Sequence, residues 1–251
     1  MNRHAMLLAL LAVLAGCGGS EEVPTTTTGK PATVVDGAVA GTITGAVRFT
    51  GTPPAMATLP LASVSECASQ HQGPVTAGDA LVHDGLVENA FVYIKDGLGD
   101  VSFPVPAQPV VIDQRGCLYH PRIVGALTHQ EVKFLNSDAL LHNVHGKPEN
   151  SSAWNFGMAV KGSERSVRIA KPEVMVSTRC DVHPWMQAYI GVLDHPYFQV
   201  TGADGRFALE HVPPGSYVVG VWHERFGTRE AKVTLAPHGT ADVTLTYTAT
   251  P

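Results

Sequence analysis

The chain has 251 residues, of which 44% are hydrophobic and 16% charged, and its formal net charge is −5 at neutral pH. This length and apolar content suffice for one or two domains with hydrophobic cores, and the composition excludes collagen-like, coiled-coil and broadly disordered chains. Because the charge is acidic and no cluster of Lys and Arg stands out, nucleic acid is not expected as a partner.

The first seventeen residues are typical of a targeting segment. Arg3 supplies a positive end, and the apolar run 5–15 is too short to span a bilayer. The tetrapeptide Leu14-Ala15-Gly16-Cys17 that follows resembles the bacterial lipobox, whose cysteine becomes the lipidated N-terminus of the mature protein. We therefore expect residues 1–17 to be a lipoprotein signal peptide and Cys17 to carry a stable lipid anchor. The alternative is an ordinary secretory signal with a chance cysteine.

The next stretch, residues 18–38, is dominated by Gly, Ser, Thr, Pro and Glu. This composition predicts a flexible tether between the membrane and the folded part. The expected location is therefore the bacterial cell envelope, with the protein lipid-anchored and facing the periplasm or the exterior.

Beyond the tether the chain consists of short β-rich runs separated by turn residues, with one short helix expected at 62–71. Many short strands at this spacing predict an all-β sandwich, or a pair of sandwiches. The predicted strands are 40–49, 89–95, 110–113, 122–126, 130–136, 166–170, 174–179, 198–201, 205–209, 216–222, 230–235 and 241–247.

One loop, Cys180-Asp-Val-His183-Pro-Trp-Met186, carries a thiol, an imidazole and a thioether at spacings of three residues. A thiolate and two imidazoles with a weak axial thioether describe a blue-copper site. One tight loop cannot surround an ion, so the second imidazole must come from elsewhere, and His142 follows the predicted strand 130–136. Met is a poor zinc ligand, and no Cys-x-x-Cys-His run for covalent haem is present.

Residues from about 105 to 195 resemble a cupredoxin of the amicyanin and plastocyanin-like group. The resemblance rests on two motifs of that family, V-x-F-x-N-x-D/E…H-N-V-H and C-x-x-H-P-x-M. It implies a Greek-key β-sandwich that binds one type 1 copper ion, with Asn143 joining the two ligand loops by hydrogen bonds and His145 outside the ligand set. The ligands that it implies are His142, Cys180, His183 and Met186.

The resemblance also implies a function, the transfer of single electrons between redox partners. In the family the edge of the C-terminal imidazole lies in an apolar surface patch where partners dock transiently. Here Pro184, Trp185 and Ala188 would supply that patch, although Trp185 could equally pack beside the copper loop. The loop offers no nucleophile, general base or open substrate position, so we do not expect an enzyme.

The remaining cysteines allow two interpretations. If Cys17 carries lipid and Cys180 binds copper, then Cys67 and Cys117 remain for a disulfide in an oxidising compartment. Such a disulfide closes a loop of about fifty residues, which is worth about 4 kcal/mol in the chain-entropy model. The alternative is a zinc site in which Cys67 and Cys117 act with the nearby His71 and His120.

The rest of the chain resembles the carboxypeptidase-regulatory or transthyretin-like β-sandwich. Its motifs are G-x-I-x-G-x-V at 41–47 and V-T-x-x-D-G-x-F-x-L-x-x-V-P-P-G-x-Y at 200–217. Because the two motifs lie far apart in sequence, we expect the cupredoxin, 101–195, to be inserted between the first part of this sandwich, 39–100, and the second part, 196–251. A tandem arrangement is the alternative.

A second function class therefore stays open, a module that binds carbohydrate or holds copper without redox turnover. Relatives of the second sandwich often accompany carbohydrate-active proteins. Its aromatic and polar candidates are expected to pack in cores rather than to contact a sugar. They are Tyr197, Phe198, Trp222 and His223.

Overall fold

The computed structural model describes residues 37–249, so Cys17, the signal segment and nearly all of the tether lie outside the described residues. The strands before residue 130 are β1 (Gly41–Thr50), β2 (Val82–His83), β3 (Leu86–Val87), β4 (Phe91–Asp96), β5 (Val110–Arg115), β6 (Leu118–His120) and β7 (Ile123–Leu127). The later strands are β8 (Glu131–Asn136), β9 (His142–Lys147), β10 (Trp154–Met158), β11 (Glu164–Arg168), β12 (Glu173–Arg179), β13 (Gln187–Leu193), β14 (Phe198–Val200), β15 (Arg206–Val212), β16 (Gly215–His223), β17 (Gly227–Leu235) and β18 (Thr240–Thr248).

The predicted all-β class is confirmed. Within residues 37–249, helix is confined to a 3-10 turn, Leu61–Ser63, and the single turn α1, Ser65–Ala68, which together overlap the range 62–71 where the short helix was expected. Within the described residues no helix has the length and apolar character needed to cross a membrane.

Two sheets built from the flanking parts of the chain form an outer sandwich. One has the order β15-β1-β3-β2, with β18 also paired to β1, and the other has the order β14-β4-β16-β17. Alternate residues of β1, such as Ile43 and Val47, face inward and pack with Val219 and Val221 of β16. This period-two burial is what the alternating sequence of β1 dictates.

Two further sheets, made from residues 110–193, form an inner sandwich. Their orders are β10-β9-β12-β13-β7 and β11-β8-β5-β6. Ile112 and Phe134 of one sheet and Val176 and Ile190 of the other are fully buried in a shared core. The chain thus leaves the outer sandwich after β4 and re-enters it at β14. The transthyretin-like resemblance of the outer sandwich, and the domain boundaries drawn from it, stay predictions.

The two sandwiches meet at a junction that is both apolar and ionic. Phe91 of the outer sandwich is buried with Ile123 and Leu193 of the inner one. Beside them, Arg122 donates two hydrogen bonds, of 2.5 and 2.7 Å, to the Glu224 carboxylate. Since both charged side chains are largely shielded from water, removing either partner alone would leave a buried charge unpaired.

One segment between β1 and β2 leaves the outer sandwich and packs on the inner one. We call residues 59–75 the cap. Leu61 and Cys67 of the cap are buried in the core of the inner sandwich, and His71 Nε2 lies 2.8 Å from the carbonyl oxygen of Gly116. The cap therefore covers the part of the inner sandwich that includes the turn after β5.

A buried histidine of the outer sandwich gives the fold a predicted pH dependence. His223 is 1% exposed and stacks on Phe226 at 4.3 Å between ring centroids. Burial lowers its pKa to about 4, whereas an unfolded histidine has a pKa of about 6.5. Below about pH 6.5 the unfolded chain therefore binds a proton at this histidine that the native state does not bind. The free energy of unfolding is thus highest above the unfolded pKa and decreases as the pH falls towards 4.

We expect His223→Phe to reduce the loss of unfolding free energy between about pH 7.5 and about pH 4.5, by up to about 3 kcal/mol. Urea unfolding of the wild type and the variant at both pH values measures that loss, so a change in absolute stability does not affect the comparison. An equal loss in the two proteins would contradict the assignment.

Candidate metal centre

The first ligand segment joins the two sheets of the inner sandwich. β8 ends at Asn136 in one sheet and β9 begins at His142 in the other. The buried Asn136 amide donates to the carbonyls of Leu140, at 3.0 Å, and Met158, at 2.8 Å, and its oxygen accepts the N–H of Asp138. These hydrogen bonds fix the crossing loop and thereby set where the His142 side chain enters the core.

The second ligand segment is the tight loop between β12 and β13. The N–H of Met186 donates to the carbonyl of His183 at 2.9 Å, and the N–H of Cys180 donates to the carbonyl of Met186 at 3.2 Å. These bonds close the loop on itself. Cys180, His183 and Met186 are consequently all buried, at no more than 4% exposed.

The two segments bring three donor side chains together. His142 Nδ1 lies 2.9 Å from His183 Nδ1, and Cys180 Sγ lies 3.8 Å from the same His183 nitrogen. The three donor atoms all fall within 4.8 Å of one another. Met186, in the same loop, is 0% exposed. A thiol, two imidazoles and a buried thioether are thus gathered at one end of the inner sandwich.

The surroundings of Cys180 favour its thiolate. Burial raises the pKa of the thiol, but hydrogen bonding with His142 and with nearby backbone N–H groups outweighs burial, so the pKa lies below its ordinary value. The N–H groups of Asn143 and His183 lie 3.4 and 3.3 Å from Sγ. A stabilised thiolate is the form of cysteine that binds metals.

His142 is oriented by a buried carboxylate. Its Nε2 lies 2.9 Å from Asp138 Oδ2, and Asp138 is 2% exposed. Burial lowers the pKa of His142, but the bond to Asp138 and the neighbouring Cys180 raise it overall. Because the carboxylate accepts a proton held on Nε2, the lone pair of neutral His142 is placed on Nδ1, which faces His183.

The pKa values of Asp138 and His183 are both lowered. Burial raises the pKa of Asp138, but hydrogen bonds from His142 and from the N–H groups of Cys117 and Gly116 lower it overall to about 2. Burial and the neighbouring His142 both lower the pKa of His183. The centre therefore holds an anionic carboxylate and an imidazole that resists protonation, which suits ligation by neutral nitrogen.

Asn143 links the two ligand segments. Its Oδ1 accepts the N–H of Asp181, and its Nδ2 donates to Asn155 Oδ1 at 2.7 Å and to Asp181 Oδ2 at 3.3 Å. His145, which lies outside the donor cluster, pairs with the same Asp181 carboxylate at 2.8 Å. The amide of Asn143 thus connects the start of β9 to the residue that follows Cys180.

Cys67 and Cys117 are joined by a disulfide, with 2.00 Å between the sulfurs. A disulfide leaves no thiolate for the alternative zinc site. Among the described residues, Cys180 has the free thiol.

The residues expected in a docking patch are only partly at the surface. Pro184 is exposed and Trp185 is half-buried, whereas Ala188 is fully buried in β13. The His183 ring, one edge of which the cupredoxin resemblance predicts at the surface, is 4% exposed. The Trp185 ring lies 5.3 Å from it, and the sulfurs of Cys67 and Cys117 lie within 4.8 Å of one of its nitrogens.

Of the four residues considered for sugar binding, two are buried and two are half-buried. Tyr197 and His223 are buried in the outer sandwich at 5% and 1% exposed. Phe198 stacks on Phe91, and Trp222 lies 5.0 Å from Tyr189 at the junction. Their positions are those of core and interface residues.

Two features of the centre were missed from the sequence. Asp138 occupies the D/E position of the first ligand motif, so the motif itself carried a signal for it. No local sequence pattern predicted that the Cys67–Cys117 disulfide lies close to His183, because Cys67 belongs to the cap and is far from His183 in sequence.

No family model and no curated protein matches this sequence. Among solved structures, the chain is similar to a copper-containing nitrite reductase from Thermus scotoductus SA-01, at 16% identity and a TM-score of 0.33, over 40% of this chain and 26% of the reductase. It is also similar to a purple cupredoxin from Nitrosopumilus maritimus, at 17% identity and a TM-score of 0.29, over 33% of this chain and 98% of the cupredoxin. A reduced mutant of amicyanin is similar at 19% identity and a TM-score of 0.32, over 42% of this chain and 99% of amicyanin.

The hydrogen bonds of Asn143 lead to a prediction about stability. We expect Asn143→Ala to lower the free energy of unfolding of the metal-free protein by about 2 kcal/mol, because alanine cannot make the hydrogen bonds of the buried Asn143 amide to Asn155 and Asp181. Chemical denaturation measures the effect. Asn150→Ala, at an exposed asparagine, is the matched control and should change little. Equal effects of the two substitutions would refute a linking role for Asn143.

Proposed function

We propose that this protein is a type 1 copper protein that carries single electrons between redox partners. His142, Cys180 and His183 would hold the ion, with Met186 as the weak axial ligand. The observation that supports this proposal is the gathering of a thiol and two imidazole nitrogens within 4.8 Å in a buried site. Soft sulfur and imidazole donors in this combination suit copper better than magnesium, calcium or zinc.

The donor residues fit a copper ion in protonation state as well as in type. Asp138 places the free lone pair of His142 towards the centre, and the pKa of Cys180 is shifted towards the thiolate. Bound copper would supply a one-electron couple. The chain's own contribution is to hold its donors in place, because each donor is buried, the His142 imidazole bonds to Asp138, and backbone N–H groups bond to the Cys180 sulfur.

The site supports a carrier better than an enzyme. The donors lie in a packed core and not in an open cleft, since His142, Cys180 and Met186 are at most 1% exposed. A substrate would need an open position beside the ion, as catalytic metal sites provide. Electron exchange has no such requirement, because partners only need to approach the surface near the ligands.

We further propose that partners dock transiently beside the ligand loop. Pro184 is exposed, and two apolar side chains next to ligands, Leu141 and Val182, are 49% and 48% exposed. With the half-buried Trp185 they supply apolar surface on both ligand segments. A small apolar contact of this kind fits a weak redox encounter.

The copper proposal predicts a colour that depends on one sulfur. The wild-type protein with Cu(II) should show intense visible charge-transfer absorption and a reversible one-electron reduction, whereas Cys180→Ser should lose the colour because oxygen replaces the thiolate. Met186→Leu is the matched control in the same loop. It should keep the colour and raise the reduction potential, since an axial donor to the oxidised ion is lost. A colourless wild-type copper complex would contradict the proposal.

We also propose that Cys17 anchors the protein to a bacterial membrane through lipid, with 18–38 as the tether. In cells of a lipoprotein-processing bacterium, Cys17→Ser should move the protein from the membrane fraction to the soluble fraction, because the acyl chains that hold it are absent. Immunoblotting of the two fractions measures the shift, and Ser20→Ala is the control. A variant that stays in the membrane fraction would exclude this anchor.

A further inference from the structure

The turn between β5 and β6 has an unusual backbone. Arg115 and Leu118 are paired across the hairpin, and the two residues between them, Gly116 and Cys117, both have positive φ, at 65° and 56°. Glycine adopts this conformation freely, but a cysteine does so at a cost. The surrounding structure must therefore hold Cys117 in place, and the disulfide to Cys67 of the cap is one covalent restraint that does so.

The backbone of this turn is linked to the first imidazole, His142, by the carboxylate of Asp138. The N–H of Gly116 donates to Asp138 Oδ1 and the N–H of Cys117 donates to Asp138 Oδ2, both at 2.8 Å. The same Oδ2 lies 2.9 Å from His142 Nε2. The position of the turn thus determines where the carboxylate that orients His142 can lie.

The same turn is linked to the second imidazole, His183, by the indole of Trp185. Trp185 Nε1 donates to the carbonyl of Cys117 at 3.0 Å, and the Trp185 ring lies 5.3 Å from the ring of His183. The sulfurs of Cys67 and Cys117 also lie within 4.8 Å of a His183 nitrogen. Cys117 therefore contacts groups beside both imidazoles. Its N–H bonds to Asp138, which orients His142. Its carbonyl accepts from Trp185, and its sulfur lies near His183.

We propose that the Cys67–Cys117 disulfide is a positioning element of the metal centre. It holds the Gly116–Cys117 turn so that Asp138 orients His142 and Trp185 supports His183, and metal affinity depends on it beyond its effect on folding stability. This inference rests on the proposed copper site. Removal of orienting groups around a metal ligand typically weakens binding about 10- to 100-fold.

The test compares two variants that are expected to be destabilised to a similar extent. The double substitution Cys67→Ala with Cys117→Ala removes the disulfide, and Leu209→Ala truncates a buried side chain of the outer sandwich, which is expected to destabilise to a comparable extent. Cu(II) affinity, measured by competition with a chelator, should fall about 10- to 100-fold in the double variant and stay at the wild-type value in Leu209→Ala. Equal affinities for the double variant and the wild type would overturn the proposal.

A second measurement uses the metal-free protein. Hydrogen exchange of the Trp185 indole N–H, followed by NMR, should become faster in the double variant and remain slow in Leu209→Ala. Unchanged exchange in the double variant would overturn the proposal whatever the copper result.

If the double variant does not fold, Trp185→Phe keeps the disulfide but removes the indole donor, and unchanged Cu(II) affinity there would also overturn the proposal. A wild-type protein that binds no copper would instead contradict the proposed function.

Discussion

The centre depends on two loops that carry buried polar side chains to the same place. His142 and His183 face each other through their Nδ1 atoms at 2.9 Å, with the Cys180 sulfur beside them. Burying such groups without partners costs several kcal/mol each. Here Asp138 pairs with the His142 imidazole, backbone N–H groups approach the Cys180 sulfur, and the His183 imidazole contacts both of these donors. The arrangement is therefore stable only if both loops keep their shape.

The β-sheets keep the shape of the two ligand loops fixed. One loop connects the two sheets of the inner sandwich, and the other connects two adjacent strands of one sheet, so both ends of each loop are fixed by paired strands. The cap adds a third contact, because it passes from the outer sandwich to the inner one and is joined there by the disulfide. Segments distant in sequence thus contribute to one compact site, a feature typical of preorganised centres.

The sequence predicted the all-β class because alternating runs and turn residues are local signals, as in β1. It also pointed to His142, Cys180 and His183, which the structure gathers, because donor type and spacing are visible without a fold. The burial of His183 was not predictable in this way. It depends on contacts with the cap, and a disulfide that joins residues 50 apart leaves no periodic pattern. Whether Trp185 is packed or exposed could not be predicted either, since tryptophan is common both in cores and at docking surfaces.

X-ray absorption spectroscopy of the copper-loaded protein tests the central claim most directly, because it counts the atoms bonded to the ion. The account predicts one short sulfur bond and two imidazole nitrogens, with the sulfur bond absent from the serine variant at Cys180. A spectrum that contains only nitrogen and oxygen neighbours in the wild type would contradict it.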